Sequence, residues 1–252
     1  MLSYEQTGFT NNPCLVFLHG FLGCKEDWRG IISQLEGSYH CLSFDLPAHG
    51  KSAFTLEIDD SIVSSIQELS VQRPVLIGYS MGGRIALSLC DKHPKFFSGL
   101  VALSAHTGLK NNKQKELRVR SEQEWIHLLL HSSSENFLQK WYEQSVFSSL
   151  MHKPHLYDAL IQKRRVSNPE ELALILQSSS LAKQKVFRKF FIPSYFLCGE
   201  EDGKYAELYS TLPKTIKMDA ISNCGHVLHL ENPSICAEKI KQWLIEENPW
   251  IK

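Results

Sequence analysis

The chain has 252 residues, 43% of them hydrophobic and 21% charged, which is material for one α/β domain carrying an insertion. Lys+Arg and Asp+Glu number 27 each, so the formal net charge is zero, which excludes a molecule built as a whole to grip nucleic acid or an anionic membrane. The opening Met1-Leu2-Ser3-Tyr4-Glu5 lacks the basic start and apolar core of a signal peptide, and no apolar run approaches the ~20 residues of a membrane span, so a cytoplasmic protein is expected.

In chain order, the first strong strand is the apolar run Cys14-Leu15-Val16-Phe17-Leu18, which suits a strand buried on both faces of a parallel sheet. It runs into His19-Gly20-Phe21-Leu22-Gly23, a loop able to present backbone N–H groups, with His19 in a structural role. Tyr39-His40-Cys41-Leu42-Ser43-Phe44 predicts another short strand, followed by the turn Asp45-Leu46-Pro47-Ala48-His49-Gly50. Ile62, Val63, Ile66 and Leu69 stand at helical spacing within 59–70.

Then comes the stretch that carries the chemistry. Pro74-Val75-Leu76-Ile77 leads through Gly78-Tyr79-Ser80-Met81-Gly82-Gly83 into a helical pattern. Strand, glycine-flanked serine and helix are what a nucleophile elbow requires, because side chains beside so sharp a turn would collide with the strand or the helix. The helix that starts after Ser80 points its dipole at any oxyanion formed there, and the N–H groups of Phe21 and Met81 are the candidate oxyanion-hole donors.

Gly99-Leu100-Val101-Ala102-Leu103 is the next strand; alternating strands and helices predict a mostly parallel, doubly wound sheet. That rhythm stops between 106 and 190, where Trp125, Leu128, Leu129, Leu172, Leu174, Ile175 and Leu176 follow helical spacing. This insert holds 14 Lys+Arg against 8 Asp+Glu, and the rest of the chain 13 against 19. Solvated helix faces explain such an excess as readily as a lid that draws in an anionic substrate. The sheet resumes at Ser194-Tyr195-Phe196-Leu197-Cys198-Gly199, with a short strand expected at Thr215-Ile216-Lys217-Met218 and a closing helix from Pro233 through Leu244.

Asp202 follows one of these strands and His226 the other, at the end of the sheet where open α/β folds gather their sites. Glu200 and Glu201 compete with Asp202, which is preferred for its offset from the strand. His229 competes with His226 and is expected to begin the following turn. Seven cysteines are scattered with no C-x-x-C pair, which predicts buried free thiols, and no His/Cys cluster has ligand spacing, so neither a metal nor another cofactor is expected.

His19-Gly20-Phe21, Asp45-Leu46-Pro47-Ala48-His49-Gly50, the Ser80 elbow and Gly225-His226 resemble the α/β-hydrolase superfamily, whose triad follows the order Ser80, Asp202, His226. Ala48 stands where that superfamily more often has glycine. A narrower likeness, spread over nearly the whole chain, lies in Gly78–Arg84, Trp141-Tyr142-Glu143-Gln144-Ser145-Val146-Phe147, Ser180-Leu181-Ala182 and Leu197-Cys198-Gly199-Glu200. These resemble the 2-succinyl-6-hydroxy-2,4-cyclohexadiene-1-carboxylate synthases of menaquinone biosynthesis. The resemblance implies an α/β-hydrolase core over 1–105 and 191–252, a helical lid over 106–190, and elimination of pyruvate with Ser80, His226 and Asp202 as a proton-abstracting unit. It also implies a small-molecule tricarboxylate substrate held by Arg84, Arg118 and Arg164, with Arg120 and Arg165 as neighbours open to confusion with the last two. Tyr79 and Trp141 would line the pocket, though core packing explains both nearly as well. A monomer without cofactor is expected. A carboxylesterase or C–C bond hydrolase, and a non-enzymatic binding protein on the same scaffold, are the alternatives.

Overall fold

The fold is seen in a computed structural model in which residues 1–250 are described. Seven strands form one sheet in the order β1-β3-β2-β4-β5-β6-β7. They are β1 (Tyr4–Thr7), β2 (Cys14–Leu18), β3 (His40–Phe44), β4 (Val75–Tyr79), β5 (Gly99–Leu103), β6 (Ser194–Gly199) and β7 (Lys217–Ile221). All neighbours are parallel except β1, which runs antiparallel to β3. Every residue of β2 to β6 is buried, as expected for strands covered by helices on both faces.

The helices supply that cover. α1 (Arg29–Leu35) packs on the C-terminal α10 (Pro233–Glu247), while α2 (Ile58–Glu68) and α3 (Met81–Lys92) alternate with the central strands. Gly30 lets α1 close on α10, since a Cβ there would lie 2.9 Å from Pro233 Cβ. Between β5 and β6 come α4 (Asn112–His131), α5 (Ser134–Tyr142), a 3-10 stretch (Ser145–His152), α6 (Pro154–Lys163) and α7 (Pro169–Ser178), with no strand among them. α8 (Gly203–Ser210) and the short α9 (Leu228–Glu231) follow β6 and β7. The starts of α7 and α10 are written in the sequence as Asn-Pro. Asn168 accepts from the Glu171 N–H at 3.1 Å and Asn232 from the Ile235 N–H at 3.2 Å, each with proline in the first helical turn.

One strand was not foreseen and two local expectations need correction. β1 has only four residues, none of them buried, so it lacks the apolar run by which a strand is recognised. The last strand begins at Lys217 instead of Thr215, because Thr215 and Ile216 belong to the turn closed by the Ile216 N–H on Pro213 O. His229 does not merely open a turn: it lies inside α9, is buried, and packs against Tyr79 with ring centroids 4.1 Å apart and the rings tilted by 38°.

α10 closes the core with Trp243, which is 1% exposed and stacks on Tyr195 of β6 at 5.7 Å and 16° between planes. Trp243→Ala would leave a large void between helix and sheet. A loss of about 3–5 kcal/mol in unfolding free energy is expected, read from urea denaturation.

Candidate active site

β4 ends at Tyr79 and α3 begins at Met81, so Ser80 alone makes the turn, at φ 49° and ψ −109°. A non-glycine residue in such a conformation carries roughly 1–3 kcal/mol of strain and persists only where its surroundings over-determine it. Here the Ser80 N–H donates to Leu103 O at 2.9 Å and its carbonyl accepts from the Arg84 N–H at 3.0 Å. The flanking glycines provide space. A Cβ on Gly82 would sit 2.2 Å from the Leu18 carbonyl oxygen, and one on Gly78 would sit 2.5 Å from that of Gly82.

The turns after β4, β6 and β7 bring Ser80, Asp202 and His226 together. His226 Nε2 lies 3.2 Å from Ser80 Oγ, and Nδ1 lies 2.7 Å from Asp202 Oδ2. An ionised carboxylate only accepts, so Nδ1–H donates to Asp202 and Nε2 is left to accept the serine hydroxyl proton. Asp202 Oδ2 also accepts from Ser104 Oγ at 3.0 Å; Ser104, just past β5, has a φ of 44°. Asp202 and His226 are buried, whereas Glu200 and Glu201 are exposed. The competing His229 faces Trp28 and Tyr79 instead, and neither of its ring nitrogens has a partner among the described residues.

The loop after β2 runs alongside. His19 is structural in its contacts: Nδ1 lies 2.7 Å from Gly20 O and Nε2 accepts from the Leu46 N–H at 2.9 Å. The N–H groups of Phe21 and Met81 have no acceptor among the described residues. Ala48 adopts φ 62° in the turn after β3, so this turn keeps a left-handed residue without a glycine there. Tyr79 is buried with its ring 5.4 Å from that of His226, and Trp141 is half-buried against Phe21 and Trp125, at 5.1 Å from each.

The arginines separate into two kinds. Arg84 Nη1 donates to Ser179 O at 2.6 Å and to Gln184 Oε1 at 3.5 Å, with no carboxylate at ion-pair distance among the described residues. Burial and the nearby Arg118 lower its pKa to about 10, so it stays charged at neutral pH. Arg118 is oriented by Glu122, which takes its Nε at 2.5 Å and is itself held by Ser180 Oγ and the Leu181 N–H. Arg164, like Arg118, is paired with a carboxylate, but it is buried and held from both ends: Nη1 reaches Asp27 Oδ1 at 3.0 Å and Oδ2 at 2.7 Å, and Nε donates to Tyr142 Oη at 2.9 Å. Burial raises the Asp27 carboxyl, but Arg164 and Lys163 more than offset this and hold it well below the usual range. Arg120 and Arg165 are exposed.

Sequence reasoning missed Lys204, Tyr205 and His106. Lys204 Nζ lies 5.7 Å from the Tyr205 ring centre, and that ring is 4.9 Å from His226 and 6.2 Å from His106. Lys204 is lowered from its ordinary pKa by desolvation and by Arg118. The available signal was its place two residues after Asp202. Among the described residues, no group of three or more His, Cys, Asp or Glu is arranged to hold a metal ion, and no helix is long and apolar enough to cross a membrane.

Sheet order, elbow and Ser-His-Asp geometry define an enzyme of the α/β-hydrolase fold, and the family model of that fold matches residues 13–233. Among solved structures, MenH from S. aureus superimposes with a TM-score of 0.90, at 24% identity over 98% of this chain and 100% of that one. A thermophilic esterase from Thermogutta terrifontis gives 0.79, at 20% identity over 97% and 93%. Sequence relatives are closer. The 2-succinyl-6-hydroxy-2,4-cyclohexadiene-1-carboxylate synthase of Enterobacter sp. (strain 638) is 33% identical over 92% of both chains. That of Citrobacter koseri is 33% identical over 94% of this chain and 96% of its own. The chain belongs to the 2-succinyl-6-hydroxy-2,4-cyclohexadiene-1-carboxylate synthase family.

Three buried imidazoles around this site are kept neutral. Burial, aided by His19, pushes His49 down to about 3, and burial takes His229 to about 3. Burial together with Lys204, Arg84 and Arg118 takes His106 to about 4. A histidine whose folded pKa lies below its unfolded value favours unfolding once the unfolded chain takes up the proton. Stability is therefore expected to be full above about pH 6.5 and to fall as the pH drops toward 4. On the order of 1–2 kcal/mol per histidine is lost by pH 5. Thermal melts at pH 7.5 and 5.0 check this; a Tm lower by about 6–24 °C at pH 5.0 is the expected result.

Proposed function

We propose that this chain eliminates pyruvate from 2-succinyl-5-enolpyruvyl-6-hydroxy-3-cyclohexene-1-carboxylate, giving 2-succinyl-6-hydroxy-2,4-cyclohexadiene-1-carboxylate in menaquinone biosynthesis. In this reading Ser80 passes its hydroxyl proton to His226 Nε2 and takes a proton from the substrate's ring carbon. The electron pair of the broken C2–H bond, delocalised onto the succinyl ketone as an enolate, forms the C2–C3 double bond as the C3–C4 double bond shifts to C4–C5 and the C5–O bond to the enolpyruvyl group breaks. His226 returns its proton to the departing group, which leaves as pyruvate. Asp202 holds the imidazole in the required tautomer and stabilises its charged form. The N–H groups of Phe21 and Met81 stabilise the negative charge that develops on the succinyl ketone oxygen.

The observation that carries this reading is the Arg84 guanidinium, one helical turn after Ser80, which no carboxylate among the described residues neutralises. Arg84 has only carbonyl and amide partners; Arg118, although paired with Glu122, lies near enough to lower its pKa, and Lys204, Arg84 and Arg118 together lower that of His106. A substrate with three carboxylates supplies the missing charge. Arg84, Arg118 and Lys204 take those carboxylates, while Arg164, fixed by Asp27 and Tyr142, is a charged wall of the pocket beside Tyr79 and Trp141. Residues 106–190 serve as the lid over a core of 1–105 and 191–252. The enzyme acts as a cytoplasmic monomer with no cofactor and no nucleic-acid or membrane partner.

The decisive experiment supplies the pathway intermediate and measures pyruvate. Stoichiometric pyruvate is expected, with at most slow turnover of short nitrophenyl esters. Ser80→Ala and His226→Ala, while folded, should lower kcat by at least ~10³-fold. Efficient ester cleavage without pyruvate would replace the lyase with a carboxylesterase. A second series tests the cations. Arg84→Ala and Arg118→Ala should each cost about 2–4 kcal/mol in kcat/KM by leaving a carboxylate unpaired. Lys204→Ala should cost less, since it is more open to solvent, and Arg120→Ala and Arg165→Ala least. Equal losses from all five would mean that only the overall field matters.

A further inference from the structure

The loop that carries His226 is tied to the end of β6 by the Glu201 N–H on Cys224 O at 2.9 Å, and its two amides beside His226 are held from elsewhere. The N–H of Gly225 donates to Glu231 Oε1 at 3.1 Å and Oε2 at 3.0 Å, and that of Val227 donates to Oε1 at 3.2 Å. The amides on both sides of His226 are thus gathered by one carboxylate, whose side chain is 0% exposed. The same carboxylate is reached from the helical segment between β5 and β6. Ser149 Oγ donates to Oε1 at 3.1 Å, and Lys153 Nζ donates to Oε2 at 2.5 Å and to the carbonyl of Asn223 at 2.5 Å. Phe147, one turn earlier, meets the His226 ring edge-on at 5.6 Å.

Two further facts make this joint close-fitting. A Cβ on Gly225 would lie 2.1 Å from Ser149 Oγ, so the 3-10 stretch sits directly against the catalytic loop. Lys153 supplies the positive charge within ion-pair distance of Glu231 among the described residues. Removing it would leave a buried carboxylate held by dipoles alone, a costly arrangement.

We propose that Glu231 is a positioning residue that latches the helical segment to the His226 loop, so that His226 is aligned with Ser80 and Asp202 only while Ser149 and Lys153 are seated. The proposal rests on the reading of His226 as the proton carrier. Because alignment to within a fraction of an ångström governs proton transfer, loosening the latch lowers turnover more than it weakens substrate binding.

Lys153→Met and Glu231→Gln test the latch on the full chain. The readout that needs no substrate is the ¹⁵N–¹H spectrum of the Gly225 and Val227 amides and the His226 ring. Both variants are expected to shift or broaden these signals, and to lower kcat by about 10–100-fold with KM changed less than about threefold. Lys153→Arg, which keeps the charge, should restore most of the signal positions, and the double variant should lose no more than Glu231→Gln alone. Unchanged amide and ring signals in Lys153→Met, or losses that multiply in the double variant, would overturn the latch. Since Lys153 is on the surface of the joint, its variant decides the matter even if Glu231→Gln fails to fold. The spectra report on the joint whether or not pyruvate is released, so failure of the latch is separable from failure of the proposed reaction.

Discussion

The close approach of the α3 N-terminus to the carbonyls of Leu18 and His19 is the constraint on which the site depends. Only a residue without Cβ can stand at Gly82, where the added atom would lie 2.2 Å and 2.4 Å from those two oxygens. That contact sets α3 against β2, so the helix end, the Phe21 loop and Ser80 share one small volume. It also holds Ser80 in its strained turn. The remaining parts are delivered by parallel strands, whose C-terminal ends all point the same way. Asp202 and His226 arrive from two neighbouring strands, β6 and β7, and meet across the gap.

Charge around the site is arranged by pairing. Asp27 gathers Arg164 and Lys163 into a closed set, and a cation so satisfied shapes the wall without calling for an anion. Arg84 is different, because its partners are a carbonyl and an amide, which orient the guanidinium without neutralising it. An unneutralised, desolvated guanidinium is costly to maintain in an empty site and becomes favourable when a carboxylate enters. The same logic separates Lys153, which has a buried carboxylate at 2.5 Å, from Lys204, which has an aromatic face.

Much of this was legible in the sequence. Apolar runs marked β2, β4, β5 and β6 because strands covered on both faces have no alternation to hide them. The glycines around Ser80 marked the elbow because excluded volume permits little else there. β1 and α8 were not legible: the first is a half-exposed edge strand of four residues, and the second begins with a glycine right after Asp202. The pairing of Arg164 was not legible, because its partner Asp27 is 137 residues away and no local pattern announces it. Glu231 was invisible for the same reason, its lysine lying 78 residues earlier. Motifs report what a short stretch must do, while buried charge pairs depend on which distant segments the fold brings together.

The two outer strands of the sheet show what its borders are made for. β1 displays Glu5, paired with Arg29 at 2.6 Å, and β7 displays Lys217 and Asp219, which pair back to Glu246 and Lys239 of α10. Each border thus carries charges tied to its own chain. A strand from another molecule seeking to extend the sheet would have to lie beside these charged side chains, which disfavours the pairing. Charged borders of this kind discourage folded copies from pairing edge to edge, and here they do so in a chain whose formal net charge is zero.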